Sequence, residues 1–259
     1  FIGFGQNVNI PDANFKAYLV GNSAINTNGD SEIQVSEATA FNGAILCSNM
    51  SISDLTGLEE FTALTFLSCG SNQLTSLDVS ANTALTTLYC WGNQLTSLDV
   101  SNNTALSSLQ CWYNQLTSLD VSQNTALTDL MCYINQLTSL DVSAFTALTF
   151  LSCGSNQLTS LDLSNNTNLY SASIDNNEIE SIDLSNNLNL NSFYCSNNLL
   201  ANLDLTNNSY LQSLICSGNQ LTTLDLSNNA NLESLDVSNN SLYELNLQNG
   251  NCQNFAHYW

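Results

Sequence analysis

The sequence predicts a repeat solenoid of short parallel strands, and three observations carry that expectation. A leucine returns every 21 residues, from Leu64 through Leu85, Leu106, Leu127, Leu148, Leu169, Leu190 and Leu211 to Leu232. Within each copy, inward apolar residues alternate with outward ones, as in Leu88-x-Cys90 and Leu98-x-Val100. This is the period of a strand buried on one face. An asparagine then follows the first strand of every copy, at Asn72, Asn93, Asn114, Asn135, Asn156, Asn177, Asn198, Asn219 and Asn240.

Each copy contains two half-repeats of the form Leu-x-x-Leu-x-(Cys or Val)-x-x-Asn, so each coil is expected to contribute two short strands. A single coil cannot bury its apolar face and must stack on its neighbours. The asparagine amides both donate and accept, which suits them to tie a turn to the adjacent coil. Seven cysteines, Cys69, Cys90, Cys111, Cys132, Cys153, Cys195 and Cys216, occupy one inward position and form a ladder. Parallel strands in register point their Cβ vectors alike, which disfavours disulfides and leaves thiols packed as small hydrophobes. No CxxC pair exists and His257 is the single histidine, so a zinc cluster is not expected. The state of Cys47 and Cys252, near the two ends, stays open. The copy that starts at Leu169 carries Ala172 and Ile174 where others have Leu and Cys, which predicts a local irregularity.

The run Leu-x-x-Leu-x-Cys-x-x-Asn-x-Leu from Leu106 to Leu116 resembles the leucine-rich-repeat signature, over about residues 44–247. The expected organisation is a helical N-terminal cap over 1–43, a leucine-rich-repeat solenoid with parallel strands on two faces over 44–247, and a capping or docking segment over 248–259. That last segment contains Phe255, Tyr258 and Trp259. The 21-residue length, the recurring cysteine and second halves such as Leu119-Asp120-Val121 resemble a nested bacterial class of secreted and surface proteins. The resemblance implies an extracellular bacterial protein.

Twenty-two acidic side chains stand against one basic one, Lys16, for a net charge of −21. Such a surface repels nucleic-acid phosphates and anionic membranes, and leaves proteins, neutral glycans, cations or a second copy of the chain as partners. Apolar residues make up 43% of the chain and are regularly spaced, unlike a disordered acidic segment. Catalysis is not expected: the sequence shows no Ser/His/Asp motif or phosphate-cradling glycine loop, and only Lys16 could neutralise developing negative charge.

Residues 26–37 have the spacing of an EF-hand calcium loop. Asn26, Asn28 and Asp30 place oxygens at the first, third and fifth positions, Glu32 supplies a backbone carbonyl at the seventh, and Glu37 closes the loop at the twelfth. Asn26 replaces the usual leading Asp and Ser31 the usual Gly. If calcium (Ca2+) binds, it is structural and holds the cap. The alternative is a polar turn joining two capping helices, one predicted by Phe15, Tyr18 and Leu19 after Pro11 and the other over 37–41.

The two faces differ. The second strands repeat an outward acid at Asp78, Asp99, Asp120, Asp141, Asp162, Asp183, Asp204 and Asp225. That row either collects cations or serves as a solvated strip that prevents sheet association. On the first strands the outward residues vary, and Phe66, Tyr89, Trp91, Gln110, Trp112, Asp129, Met131, Tyr133 and Phe150 come from five consecutive coils. A partner protein or glycan covering them is one explanation, and cross-strand packing is the other. The leading function is therefore a recognition or adhesion module, with end-to-end self-assembly into filaments or surface layers second.

Overall fold

The computed structural model describes residues 5–249 and the backbone of 256–258. The chain forms two compact units, Phe1–Ala126 and Leu127–Trp259.

The first unit opens with the cap. Helix α1 (Ala13–Gly21) starts at Asp12, whose Oδ1 accepts the N–H groups of Asn14 and Phe15, a side-chain cap for otherwise orphaned donors. Its second oxygen accepts both the amide and hydroxyl of Ser53, so one carboxylate starts the helix and fixes it to the first coil. Phe15 and Leu19 are fully buried. Helix α2 (Val35–Ala40) begins with a reciprocal box between Gln34 and Glu37. After the cap come β1 (Ala44–Leu46), a 3-10 turn at Leu58–Glu60, β2 (Phe66–Ser68), β3 (Thr87–Tyr89) and β4 (Ser108–Gln110). These strands pair in parallel, with Ile45, Leu67, Leu88 and Leu109 in register and wholly buried.

The second unit repeats the scheme with β5 (Asp129–Met131), β6 (Phe150–Ser152), β7 (Ser171–Ser173), β8 (Ser192–Tyr194) and β9 (Ser213–Ile215). It adds β10 (Thr223–Asp225), β11 (Ser234–Asp236), β12 (Glu244–Asn246) and β13 (Ala256–Tyr258). Strands β5 to β9 pair in order, then β11 and β13, all in parallel. Burying each inward leucine contributes about 1.5–3 kcal/mol, which compensates for strands only three residues long.

The asparagine after each first strand works as a three-way tie. Asn93 donates to the carbonyls of Cys90 in its own coil and Cys69 in the coil before, and its Oδ1 accepts the Leu74 N–H. Asn177 repeats this with Ile174, Cys153 and Leu158 in the second unit.

The second face carries parallel pairing between β10 and β12 and an isolated bridge at Asp78–Asp99. Elsewhere on that face a buried side chain joins successive coils. Asn103 Nδ2 donates to Val79 and Asn82 carbonyls, and Asn187 Nδ2 to those of Leu163 and Asn166. The Oδ1 atoms of this row, at Asn82, Asn103, Asn124, Asn166, Asn187, Asn208 and Asn229, are buried with no hydrogen-bond partner. Phe61 and Phe145 occupy the same repeat position and are fully buried.

The described cysteines are buried free thiols, and Cys47 extends the ladder by one coil, its N–H bonded to the Ser68 carbonyl. Burial pushes the thiols of Cys47, Cys111, Cys153 and Cys216 up to about 12, so they are protonated and unreactive at neutral pH. Cys252 lies outside the described residues. The irregularity expected at the Leu169 copy is absent from the backbone: β7 pairs with β6 and β8 in unbroken register. Ala172 is matched by the larger Phe193 beside it in β8, both fully buried, and Ile174 fills the cysteine position. The volume lost in one coil is restored by the next.

Candidate recognition face

The outward side chains of the first strands are the variable surface of each unit. In the first unit, Phe66 meets the edge of Tyr89 at 5.2 Å between ring centroids. Trp91 and Trp112 stack at 4.8 Å with an interplanar angle of 2°. Trp91 also lies over Gly70, where an added Cβ would overlap the indole. Both flat faces of Trp91 are thus covered, one by glycine and one by Trp112, and the side chain is half-buried. Gln110, next to Tyr89 across β3–β4, is half-buried. These five residues fall in three neighbouring outward columns of one face, with Phe66 against Tyr89, Gln110 beside Tyr89, and Trp91 against Trp112.

In the second unit, Met131 and Tyr133 are half-buried and Phe150 is 41% exposed. Phe150 packs at 5.9 Å against Tyr170, a residue the periodicity did not single out because it precedes the strand. Asp129 Oδ2 accepts the Thr128 hydroxyl. Burial raises the pKa of the Tyr133 hydroxyl.

Sequence reasoning also passed over the residue that follows each outward column. Tyr113 and Ile134 hold left-handed backbone at φ 55° and 53° and are 60% and 41% exposed. The same left-handed backbone recurs at Ser71, Gly92, Ser155, Asn176, Asn197, Gly218 and Asn239, so it belongs to the turn of the repeat, and at Ile134 a β-branched side chain is held in it.

The Asp row of the second face has a local task. Asp78, Asp99, Asp162 and Asp183 each accept, through Oδ1, the N–H two residues ahead at 2.9 Å, from Ser80, Ser101, Ser164 and Ser185. Hydrogen bonds from those serines hold all four carboxyls below their ordinary range. For Asp78, Asp162 and Asp183 this holds against opposing repulsion from neighbouring aspartates.

The cap loop is wound by its own side chains. Asn26 Oδ1 accepts the Gly29 N–H, Asn28 Oδ1 that of Asp30, and Asp30 Oδ1 that of Glu32. Glu37 Oε1 accepts the Thr27 amide and hydroxyl and the Asn28 amide, and Oε2 accepts the Gln34 amide. Burial would raise the Glu37 pKa, but these bonds outweigh it and hold the carboxyl below its ordinary range. The Glu32 side chain is drawn to Lys16 Nζ at 2.7 Å, which leaves its backbone carbonyl as its contribution to the loop. Among the described residues, no three His, Cys, Asp or Glu side chains gather in a metal-holding group. Any cation here would rely on two carboxylates together with amide and backbone oxygens.

Together, the 21-residue coils, the parallel strands and the asparagine ties define a leucine-rich-repeat solenoid. Among solved structures the chain is similar to the functional domain of InlJ from Listeria monocytogenes, which includes a cysteine ladder. The two are 40% identical with a TM-score of 0.88, over 95% of this chain and 55% of that one. It is also similar to a leucine-rich-repeat protein of Leptospira interrogans, at 26% identity and TM-score 0.69, over 76% of this chain and 53% of that one. Internalin C2 of Listeria monocytogenes shares the fold at 22% identity and TM-score 0.73, over 80% of this chain and 96% of that one. The chain thus spans about half the length of the InlJ structure. No protein-family model and no curated protein matches. Among the described residues, no helix is long and apolar enough to cross a membrane.

Proposed function

We propose that the chain is a non-enzymatic extracellular recognition or adhesion module of a bacterium, which binds a protein or glycan across its first-strand face. Phe66, Tyr89, Trp91, Gln110 and Trp112 would serve in the first unit, and Met131, Tyr133 and Phe150 in the second. The supporting observation is the Trp91–Trp112 stack, seated over Gly70 and half-buried. Rigid aromatic side chains offer a preorganised contact surface of the kind that dominates binding hot spots. Because the faces of Trp91 are occupied, the first unit suits a protein surface laid across the columns better than a sugar stacked on them.

The experiment is a binding screen of the full chain against purified cell-surface proteins and neutral glycans, repeated with Trp91→Ala/Trp112→Ala. At least one interaction should weaken by about tenfold or more. Interactions that all survive the double variant would overturn the assignment. Large concentration-dependent assemblies in light scattering would replace it with end-to-end polymerisation.

We also infer that calcium is the ion of the cap loop. Support comes from the winding of residues 26–37, in which alternate side chains present oxygens and Glu37 closes the turn. With only two carboxylates, and with Glu37 already holding amides, affinity belongs at the weak end, Kd about 10⁻⁴–10⁻³ M. Calorimetric titration of the chelator-treated chain should show saturable heat that Asp30→Asn/Glu37→Gln removes. No heat from the unmodified chain would eliminate calcium here.

A further inference from the structure

The first-strand face of the second unit holds a depression of about 250 Å³, lined among others by Tyr133, Ile134, Ser152, Gly154, Ser173 and Asp175. Its origin is one outward column with one residue per coil: Tyr133, Gly154, Asp175. In the first unit the same column reads Gly70, Trp91, Trp112, and there the indole of Trp91 lies over Gly70. A glycine at this position makes a seat for a flat ring, and in the first unit the chain fills the seat itself.

At Gly154 the next residue of the column is Asp175, which has no ring. Its carboxylate is turned aside, with Oδ2 accepting the Ser173 hydroxyl at 2.7 Å and Oδ1 the Ser196 amide at 2.8 Å. A Cβ on Gly154 would come within 2.9 Å of the Asp175 carbonyl oxygen, so a larger residue would push against the next coil. Two coil steps, about 9.5 Å, separate the backbone of Tyr133 from that of Asp175. Serines 152 and 173, paired across β6 and β7, line the same depression.

We propose that this depression is a subsite for one neutral hexopyranose unit, a refinement that rests on the recognition reading for the second unit's share of the face. The tyrosine wall meets the apolar face of a sugar ring. Each Asp175 oxygen uses one acceptor site within the protein and keeps another for a sugar hydroxyl. The carboxylate and the net charge of −21 repel acidic sugars. The volume is below the ~300–1,000 Å³ of sites that enclose drug-sized ligands, which matches a single terminal unit. A tryptophan side chain from a protein would fill the seat but bring one N–H donor, whereas a sugar ring offers several hydroxyls to the two carboxylate oxygens.

The test is saturation-transfer NMR and calorimetry on the full chain with methyl glycosides of glucose, galactose and mannose, and with methyl sialoside, each to about 10 mM for a millimolar site. At least one neutral glycoside should saturate and the sialoside should not. Asp175→Asn, Tyr133→Ala and Ser152→Gln should each weaken it by about tenfold or more, with Tyr133→Phe retaining it and unchanged melting temperatures confirming folding. Trp91→Ala/Trp112→Ala should leave it intact, so loss of protein recognition and loss of sugar binding are read separately. The proposal is overturned if no neutral glycoside saturates, if Asp175→Asn and Ser152→Gln both leave binding unchanged, or if N-acetyltryptophanamide binds in place of the glycosides.

Discussion

Single residues in this chain act across coils, so their energetics are pairwise. Asn93 satisfies backbone groups of Cys69, Leu74 and Cys90 at once, and truncating such a side chain strands buried donors and acceptors that cost about 1–3 kcal/mol each. The Ala172–Phe193 pair makes the same point for volume. The two stand directly opposite in register and are both fully buried. Phe193→Leu alone leaves a cavity and should cost about 1–3 kcal/mol, while Ala172→Leu alone overpacks by a similar amount. The double variant restores the leucine column of the other coils and should be more stable than the sum of the single changes predicts, by about 1 kcal/mol or more. Urea melts of the four proteins measure this coupling. Strict additivity would mean that the two side chains do not share one space.

At the scale of the element, strands of three residues persist because side chains finish what short ladders leave open. On the second face the Asp162 carboxylate holds the Ser164 amide, so its acceptor oxygen closes the turn and its charge strengthens that bond. Asp162→Asn, which keeps an acceptor oxygen without the charge, should lower the melting temperature slightly, and Asp162→Ala should lower it more. An equal loss in both would assign the stabilisation to charge. The inward leucines, the cysteine ladder and the asparagine tie were legible because period-2 alternation within a 21-residue repeat leaves one buried register. Three features were not. A repeating acid reads as a charged strip because sequence alone does not show that its oxygen is taken by its own backbone. The Ala172 coil reads as a defect when positions are judged singly, since Phe193 lies 21 residues away. The candidate face was legible as a column of large outward residues. Its glycines, Gly70 under an indole and Gly154 open, acquire meaning only when the following coil is in place.

For the whole chain, two electrostatic effects oppose each other, and pH separates them. A net charge of −21 repels itself, so protonating carboxylates would relieve strain and raise stability in acid. Against this, Asp12, Glu37 and the second-face acids Asp78, Asp99, Asp141, Asp162, Asp183, Asp204 and Asp225 all have pKa values lowered by folding. For Asp12 and Glu37 burial pulls the other way and is outweighed by hydrogen bonds. For the second-face acids the serine or threonine two residues ahead is the main cause. A lowered folded-state pKa means that the unfolded chain binds more protons, so stability is present above about pH 4 and is lost as pH falls through the folded values. The hydrogen bonds therefore win, and the melting temperature should be lower near pH 3 than near pH 6. Salt sharpens the distinction, because a Debye length of about 3 Å at 1 M screens the repulsion between coils far more than a direct hydrogen bond. High salt should raise the melting temperature near pH 6, where the carboxylates are charged, more than near pH 3, and so widen the acid-induced loss. Acid stabilisation at low salt would reverse the conclusion and make self-repulsion, not turn hydrogen bonding, the governing effect of the aspartate row.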